Sequence, residues 1–391
     1  MKTPSLSFTI LALLASIVTL VVGFDPGSFR LIDPIFSPLN TTKKFTITAG
    51  IETYYHTINF ILENNDDLVS PDVQIRYPDV HQHANGAVAL PNTPVRFTKG
   101  SVWIQETPKG NRENVGWARL AVIQDGESLL FDGAFTMMGL QYAIVLETLD
   151  DGSTEIIARQ HESAFSGRSL SPSLCATAPE THLDKRQIWN AWNENLASTI
   201  GNTYGCPNTR EIAYIGIITD CTYTASFNSS DSAHRYILNM VNTASVVFEN
   251  SFNISLAIQN LTISDAECPS STSGRTAWNV PCSQGDLNTR LQTFSSWRSS
   301  VNDRNAYWTL LTGCSVSAGE IGVSWIGALC NTGSGSRNGG ASANVVARTQ
   351  NEWQVFAKPR VGPYIRSSSR LHFKYMWKCL DTMLSILIKY L

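Results

Sequence analysis

Apolar and polar positions divide the chain into two styles of pattern. Residues 40–165 carry short alternating or apolar pieces: Phe45-Thr46-Ile47-Thr48, Ile58-Asn59-Phe60, Val102-Trp103-Ile104, Trp117–Ile123, Leu129-Leu130-Phe131, Tyr142–Leu146 and Glu155–Ala158. Runs of this length with period two are strands. The pairs Asp125-Gly126, Asp132-Gly133 and Asp151-Gly152, with Lys109-Gly110-Asn111, are expected to turn the chain between them. Several short strands joined by tight turns predict a small β domain.

The pattern changes at Arg210. Ile212–Ile218 is an almost continuous apolar run, as in a strand buried on both faces. Ser230-Asp231 is expected to cap a helix with Ala233, Ile237, Met240, Val241, Ala244, Val247 and Phe248 on one stripe. Ile254, Leu256 and Ile258 alternate as a strand. Leu287, Leu291, Phe294 and Trp297 mark a second helix, with Asp286 in its first turn. Tyr307–Leu311 and Ile321–Ile326 are two further strands, and Gly333–Gly340 reads as a flexible surface loop. This half is mixed α/β.

Between the halves, residues 166–186 form a polar linker with serines, Pro172 and Pro179, ending in Asp184-Lys185-Arg186. A dibasic pair in an exposed linker suits processing, so Lys185 and Arg186 are the expected cleavage site. The last 34 residues depart in style from what precedes them: Lys358–Leu391 holds seven Lys or Arg against one acid, Asp381, and ends in a short apolar run. That run is too short to span a bilayer, so membrane attachment is not expected.

Composition adds compartment. Met1 and Lys2 precede the apolar stretch Phe8–Val22, which ends in small residues, so residues 1–23 read as a signal peptide. Sequons at Asn40, Asn228, Asn253 and Asn260 and a total of eight cysteines suit an exported, glycosylated, oxidised chain. Cys206, Cys221, Cys268, Cys282, Cys314 and Cys330 cluster in the α/β half as disulfide candidates, with the pairing open. Cys175 and Cys379 stand apart. A net charge of −3 shows no basic excess of the kind nucleic-acid binding needs. With 43% apolar and 16% charged residues, the chain can build sizeable cores.

The order of these pieces carries a resemblance. Arg210–Cys221 (Arg-Glu-Ile-Ala-Tyr-Ile-Gly-Ile-Ile-Thr-Asp-Cys) looks like the first strand of the protease domain of secreted fungal zinc metalloendopeptidases of the ADAM (disintegrin-and-metalloproteinase) type. These are reprolysin-like metzincins. Gly319–Cys330 looks like the edge strand bordering their cleft, and Phe131–Phe135 with Gly139 and Tyr142 resembles their β-rich prodomain. The resemblance covers roughly residues 24–357. It implies a β-rich prodomain (24–165), the linker (166–186), the N-terminal part of an incomplete metzincin-type mixed α/β domain (187–357) and an aberrant tail (358–391). It further implies zinc as the family's cofactor, a peptide or protein substrate, and Ile326, Gly327 and Ala328 alongside that substrate. Cys175 becomes a candidate latency thiolate, reaching the zinc from the prodomain.

The chemistry needs His-Glu-x-x-His on a helix: two histidines on one face bind zinc, and the glutamate takes a proton from the metal-bound water. In the family that helix continues from Asn351–Ala357. Here Lys358-Pro359-Arg360 follows, proline breaks helices, and no His-Glu pair occurs downstream. His372 is the only later histidine. His81-x-His83 lies in the β-rich half, His161-Glu162 has Phe165 where a second histidine is needed, and His56, His182 and His234 are isolated. The expectation is therefore no catalytic residue and no zinc for this chain. The alternative is a non-catalytic secreted glycoprotein that binds a peptide at the edge strand. A membrane-attached protein using the basic, apolar tail is the third and weakest reading.

Overall fold

The computed structural model describes residues 27–39, 43–52, 54–77, 95–105, 111–124, 129–160, 176–177, 207–314, 321–325, 341–349 and 352–357. The first strands in chain order are β1 (Ser28–Pro38), β2 (Lys44–Ile51), β3 (Tyr54–Asn64), β4 (Val69–Arg76), β5 (Arg96–Gln105), β6 (Arg112–Gln124), β7 (Leu130–Met137), β8 (Leu140–Thr148) and β9 (Thr154–Gln160). All but β4 close into an antiparallel barrel, sealed where Ser28–Leu31 of β1 meets Ile156–Arg159 of β9. Closure leaves no strand edge open.

The period-two pattern fills the barrel interior. Phe45, Ile47, Ala49 and Ile51 of β2 are all buried, as are Ile58, Phe60 and Leu62 of β3. Phe60 meets Phe135 edge-on at 5.4 Å, and Phe135 stacks on Tyr142 at 5.1 Å.

One expected turn is not a turn. Asp132-Gly133 lies inside β7, and the chain reverses instead at Met138 and Gly139, both with positive φ. Gly133 serves close approach: at φ +140°, a Cβ there would lie 2.2 Å from the Arg119 carbonyl oxygen. Asp151-Gly152 does turn, with Gly152 at φ +83°. Asp125-Gly126 and Lys109-Gly110 lie outside the described residues.

The α/β half follows, with β10 (Ala176–Thr177), β11 (Glu211–Thr219), α1 (Cys221–Thr224), α2 (Ser230–Phe252), β12 (Ile254–Ile263), α3 (Leu287–Ser299), β13 (Tyr307–Thr312), β14 (Gly322–Ser324), β15 (Ala343–Ala347) and α4 (Glu352–Phe356). The sheet order is β10-β14-β15-β13-β11-β12-β4. The apolar run of β11 sits near the middle, parallel to both neighbours, with Ile215 and Ile217 fully buried. Gly216 is required there because the Trp308 ring occupies the space a Cβ would need, 2.2 Å away. Disulfides join Cys221 to Cys268 and Cys282 to Cys314. Cys206 and Cys330 lie outside the described residues.

Both expected helices form. The cap of α2 is Ser229 rather than Ser230, reciprocally bonded with Ser232 in a capping box, and the helix ends at Asn253 in the left-handed conformation. Asp286 caps α3, accepting from the Thr289 amide at 2.7 Å.

The largest departure from the sequence reading is how the halves join. β4 leaves the barrel and adds a parallel edge strand to the α/β sheet, pairing Gln74, Ile75 and Arg76 with Asn260, Leu261 and Thr262 of β12. Exposed Pro71 fits an outermost strand. The helix α2 buries His234, Asn242, Thr243, Ser245 and Glu249 beside its apolar stripe, because the barrel covers its second face. Asn242 donates to the Thr98 carbonyl at 3.2 Å and accepts from Asn65 at 2.8 Å; Asn239 donates to Asp132 at 2.8 Å. Trp117 of β6 meets Trp353 of α4 edge-on at 6.2 Å.

Candidate functional site

The first candidate region is the β14 side of the sheet. β14 runs antiparallel to β15, with Val323 opposite Val345. Its outer side is occupied by β10 from the linker, in parallel register: Ala176 opposite Val323 and Thr177 opposite Ser324. Cys175 immediately precedes β10 but lies outside the described residues. So do Ile326, Gly327 and Ala328, which continue from β14 past Trp325. Trp325 itself is anchored by its indole N–H on the Ser295 hydroxyl of α3.

The second region is α4, which begins where the sequence reading expected the zinc-binding helix to begin. Trp353, Phe356 and Ala357 are buried in the core shared with α2. Glu352 is fully buried, and its Oε1 accepts from the Tyr223 hydroxyl of α1 at 2.7 Å. Burial pushes its carboxyl up to about 7, against the opposing pull of Tyr223, Arg348 and Tyr236. Arg348 stands one helical turn earlier in sequence. Its Nη1 lies 3.8 Å from Glu352 Oε2, and its guanidinium packs over Phe227 at 3.9 Å, Tyr236 at 4.6 Å and Tyr223 at 5.4 Å. Burial, reinforced by Glu352, pushes the Tyr223 and Tyr236 hydroxyls up, so both remain protonated donors. This network ties the first residue of α4 to α1 and sets Arg348 against α1 and α2. Sequence reasoning missed it; the four-residue spacing of Arg348 and Glu352 was the available signal.

The described residues do not supply a zinc donor set: no three His, Cys, Asp or Glu side chains among them converge on one point. His234 is buried on α2, its Nε2 lacks a hydrogen-bond partner among the described residues, and burial pushes its pKa down. His56 lies on β3, in the barrel. His81, His83, His161, His182 and His372 lie outside the described residues, as do Asn40, Lys185, Arg186 and the tail. Three sequons are placed: Asn228 is exposed in a bend, Asn253 caps α2, and Asn260 lies on β12.

The sequence of the α/β half carries a family match. Residues 209–362, most of the α/β half, match the reprolysin-like family M12B of metallo-peptidases. Over 80% of its length the chain is similar to fungal ADAM-type metalloproteinases. It is 33% identical over 376 residues to the disintegrin and metalloproteinase domain-containing protein B of Aspergillus fumigatus, covering 80% of this chain and 48% of that protein. The protein of the same name from Arthroderma otae is 32% identical over 379 residues, with 80% and 47% covered. The zinc metalloprotease mde10 of Schizosaccharomyces pombe is 23% identical over 188 residues, with 42% and 34% covered. The chain spans about half the length of the curated relatives it matches most extensively.

Proposed function

We propose that this chain is the precursor form of a secreted metalloendopeptidase. In this reading residues 1–23 direct export, the barrel is the prodomain, and residues 187–357 are the first part of the protease domain. One observation carries the reading: β10, from the linker, lies along β14, on the side where an extended substrate would add its own strand. In this reading β10 takes the place of substrate on β14 until the linker is cut. Cys175, adjacent to β10, is the candidate latency thiolate, and cleavage after Lys185-Arg186 is the candidate processing step. Ile326, Gly327 and Ala328 are the candidate substrate-flanking residues once the linker leaves.

In this reading Lys358-Pro359-Arg360, following Ala357, stands where the ligand helix would continue, and proline breaks helices. The chain as written is proposed to hydrolyse no peptide. The test is metal analysis and a peptide-cleavage assay on the purified chain, beside a version in which His-Glu-x-x-His-x-x-Gly-x-x-His follows Ala357. One zinc per chain, or chelator-sensitive cleavage by the unaltered chain, overturns the proposal.

The pairing of β10 with β14 also favours a second reading, a non-catalytic secreted glycoprotein that holds an extended peptide on β14. Binding of a synthetic peptide to the unaltered chain after linker cleavage, with no hydrolysis, would select it.

A further inference from the structure

A pocket of about 450 Å³ opens at the seam between β4 and the α/β sheet. Gln74 and Arg76 of β4, Gln259 and Asn260 of β12, Trp297 of α3 and Arg304 are among its lining residues. The volume falls in the range of small-ligand sites. Asn260-Leu261-Thr262 is a sequon, so one wall of the pocket is itself a glycan acceptor. β12 is bulged here: its register against both β11 and β4 jumps from Ile258 to Asn260, leaving Gln259 unpaired in the ladder.

We propose that Asn260 carries an N-linked glycan whose first two N-acetylhexosamine residues lie in this pocket. The Asn260 side chain is poised for it. Its Oδ1 accepts from Asn305 Nδ2 at 2.7 Å, which orients the amide, while its Nδ2 makes only a long 3.4 Å contact with Gln74 Oε1. A glycosylated amide keeps one N–H, so that contact survives. Trp297 is half-buried, held edge-on against Trp308 at 4.9 Å, and offers an apolar surface to sugar C–H groups. Gln259 Oε1 has no hydrogen-bond partner among the described residues, and sugar hydroxyl and acetamido groups supply donors. Exposed Gln74, Arg76 and Arg304 form a polar rim.

The other placed sequons differ. Asn253 has both amide atoms committed, Nδ2 to the Pro207 carbonyl at 3.0 Å and Oδ1 to Arg210 Nε at 2.9 Å. Asn228 is exposed and does not line this pocket. The donor is a lipid-diphosphate-linked oligosaccharide. Nδ2 forms the C–N bond at the anomeric carbon as the C–O bond to the diphosphate breaks; that bonding pair leaves with the diphosphate, and Nδ2 gives up one proton. Transfer precedes pairing of β12 with β4, and the folded pocket then shelters the sugar.

The inference rests on export as proposed above, so the test supplies a yeast host's own leader in place of residues 1–23. Secreted protein is treated with peptide:N-glycanase, native and then denatured, and every sequon is read by glycopeptide mass analysis. The expected result is an occupied Asn260 whose glycan is released only after denaturation. Trp297→Ala should raise its native release rate by at least about tenfold, a loss of about 1.4 kcal/mol of contact; Arg304→Ala, on the exposed rim, tests the same pocket without touching the core. A bare Asn260, or release from the native chain as fast as from the denatured one, overturns the proposal, and neither outcome bears on whether the natural leader exports the chain.

Discussion

Arg119 of the barrel donates from Nη2 to Oε2 of Glu249 on α2 at 2.7 Å, with both side chains almost entirely buried. Arg210 reaches the same carboxylate oxygen at 2.6 Å from a more exposed position. Burial alone raises the Glu249 pKa, but Arg119, Ser245 and Arg210 together outweigh it and hold the carboxyl below its ordinary value. This ion cluster locks the two halves together.

The lock should be asymmetric. Glu249→Gln leaves the Arg119 charge buried without its counter-ion, at a cost of about 3–5 kcal/mol. Arg119→Met should cost less, because Arg210 still neutralises Glu249. Because the Glu249 pKa is depressed in the folded state, its contribution is present above the ordinary carboxylate range and is lost as pH falls through the folded value. Urea unfolding of both variants and the parent chain, at neutral and acidic pH, measures all three. Equal losses for the two variants would contradict the arrangement.

Glu352 has the opposite sign. Its folded pKa is pushed up to about 7, so the unfolded chain releases its proton first as pH rises. Stability from this group is full below the unfolded value and falls until pH passes about 7. Glu352→Gln keeps an acceptor for Tyr223 and removes the titration. The variant should gain on the parent by on the order of 3 kcal/mol between pH 4 and pH 8, read from urea midpoints. A gap that stays constant with pH would show that Glu352 is not held protonated.

Leu68 tests the strand exchange. It immediately precedes β4, is 1% exposed, and belongs to the core formed by β11, β12 and α2, although it stands in the N-terminal half of the sequence. Leu68→Ala should cost about 2–5 kcal/mol. The damage should appear as faster proteolysis within residues 207–314, with the barrel protected. Damage confined to the barrel would place Leu68 in the wrong core.

Cutting the linker should not separate the halves at neutral pH. β4 is hydrogen-bonded into the α/β sheet, and Asn239, Asn242 and Glu249 bind the barrel directly. A chain with a specific protease site at Lys185-Arg186 should co-elute as one species after cleavage. Glu249→Gln should make the pieces separable in moderate salt. Immediate separation of the unaltered halves would show that the linker alone joins them.

Local pattern determined much of this protein. The alternation of Phe45, Ile47, Ile58 and Phe60 specified barrel strands because side chains on a strand point to opposite faces whatever lies beyond. The apolar run Ile212–Ile218 specified a central strand, and the stripe from Ala233 to Phe248 specified a helix, for equally local reasons. The motif order of the α/β half carried the family resemblance. Tertiary structure decided the rest. Asp132-Gly133 reads as a turn, yet Gly133 is there so that β6 can approach, and no local signal announces a neighbouring strand. Val69–Arg76 carries no mark of the sheet it joins, since strand pairing is settled by register and by which edge is free. Glu249, Asn242 and Glu352 read as ordinary polar helix positions. Only packing removes water from them and makes Arg119, Asn65 and Tyr223 their partners, because the energy of a buried charge depends on groups that lie far away in sequence.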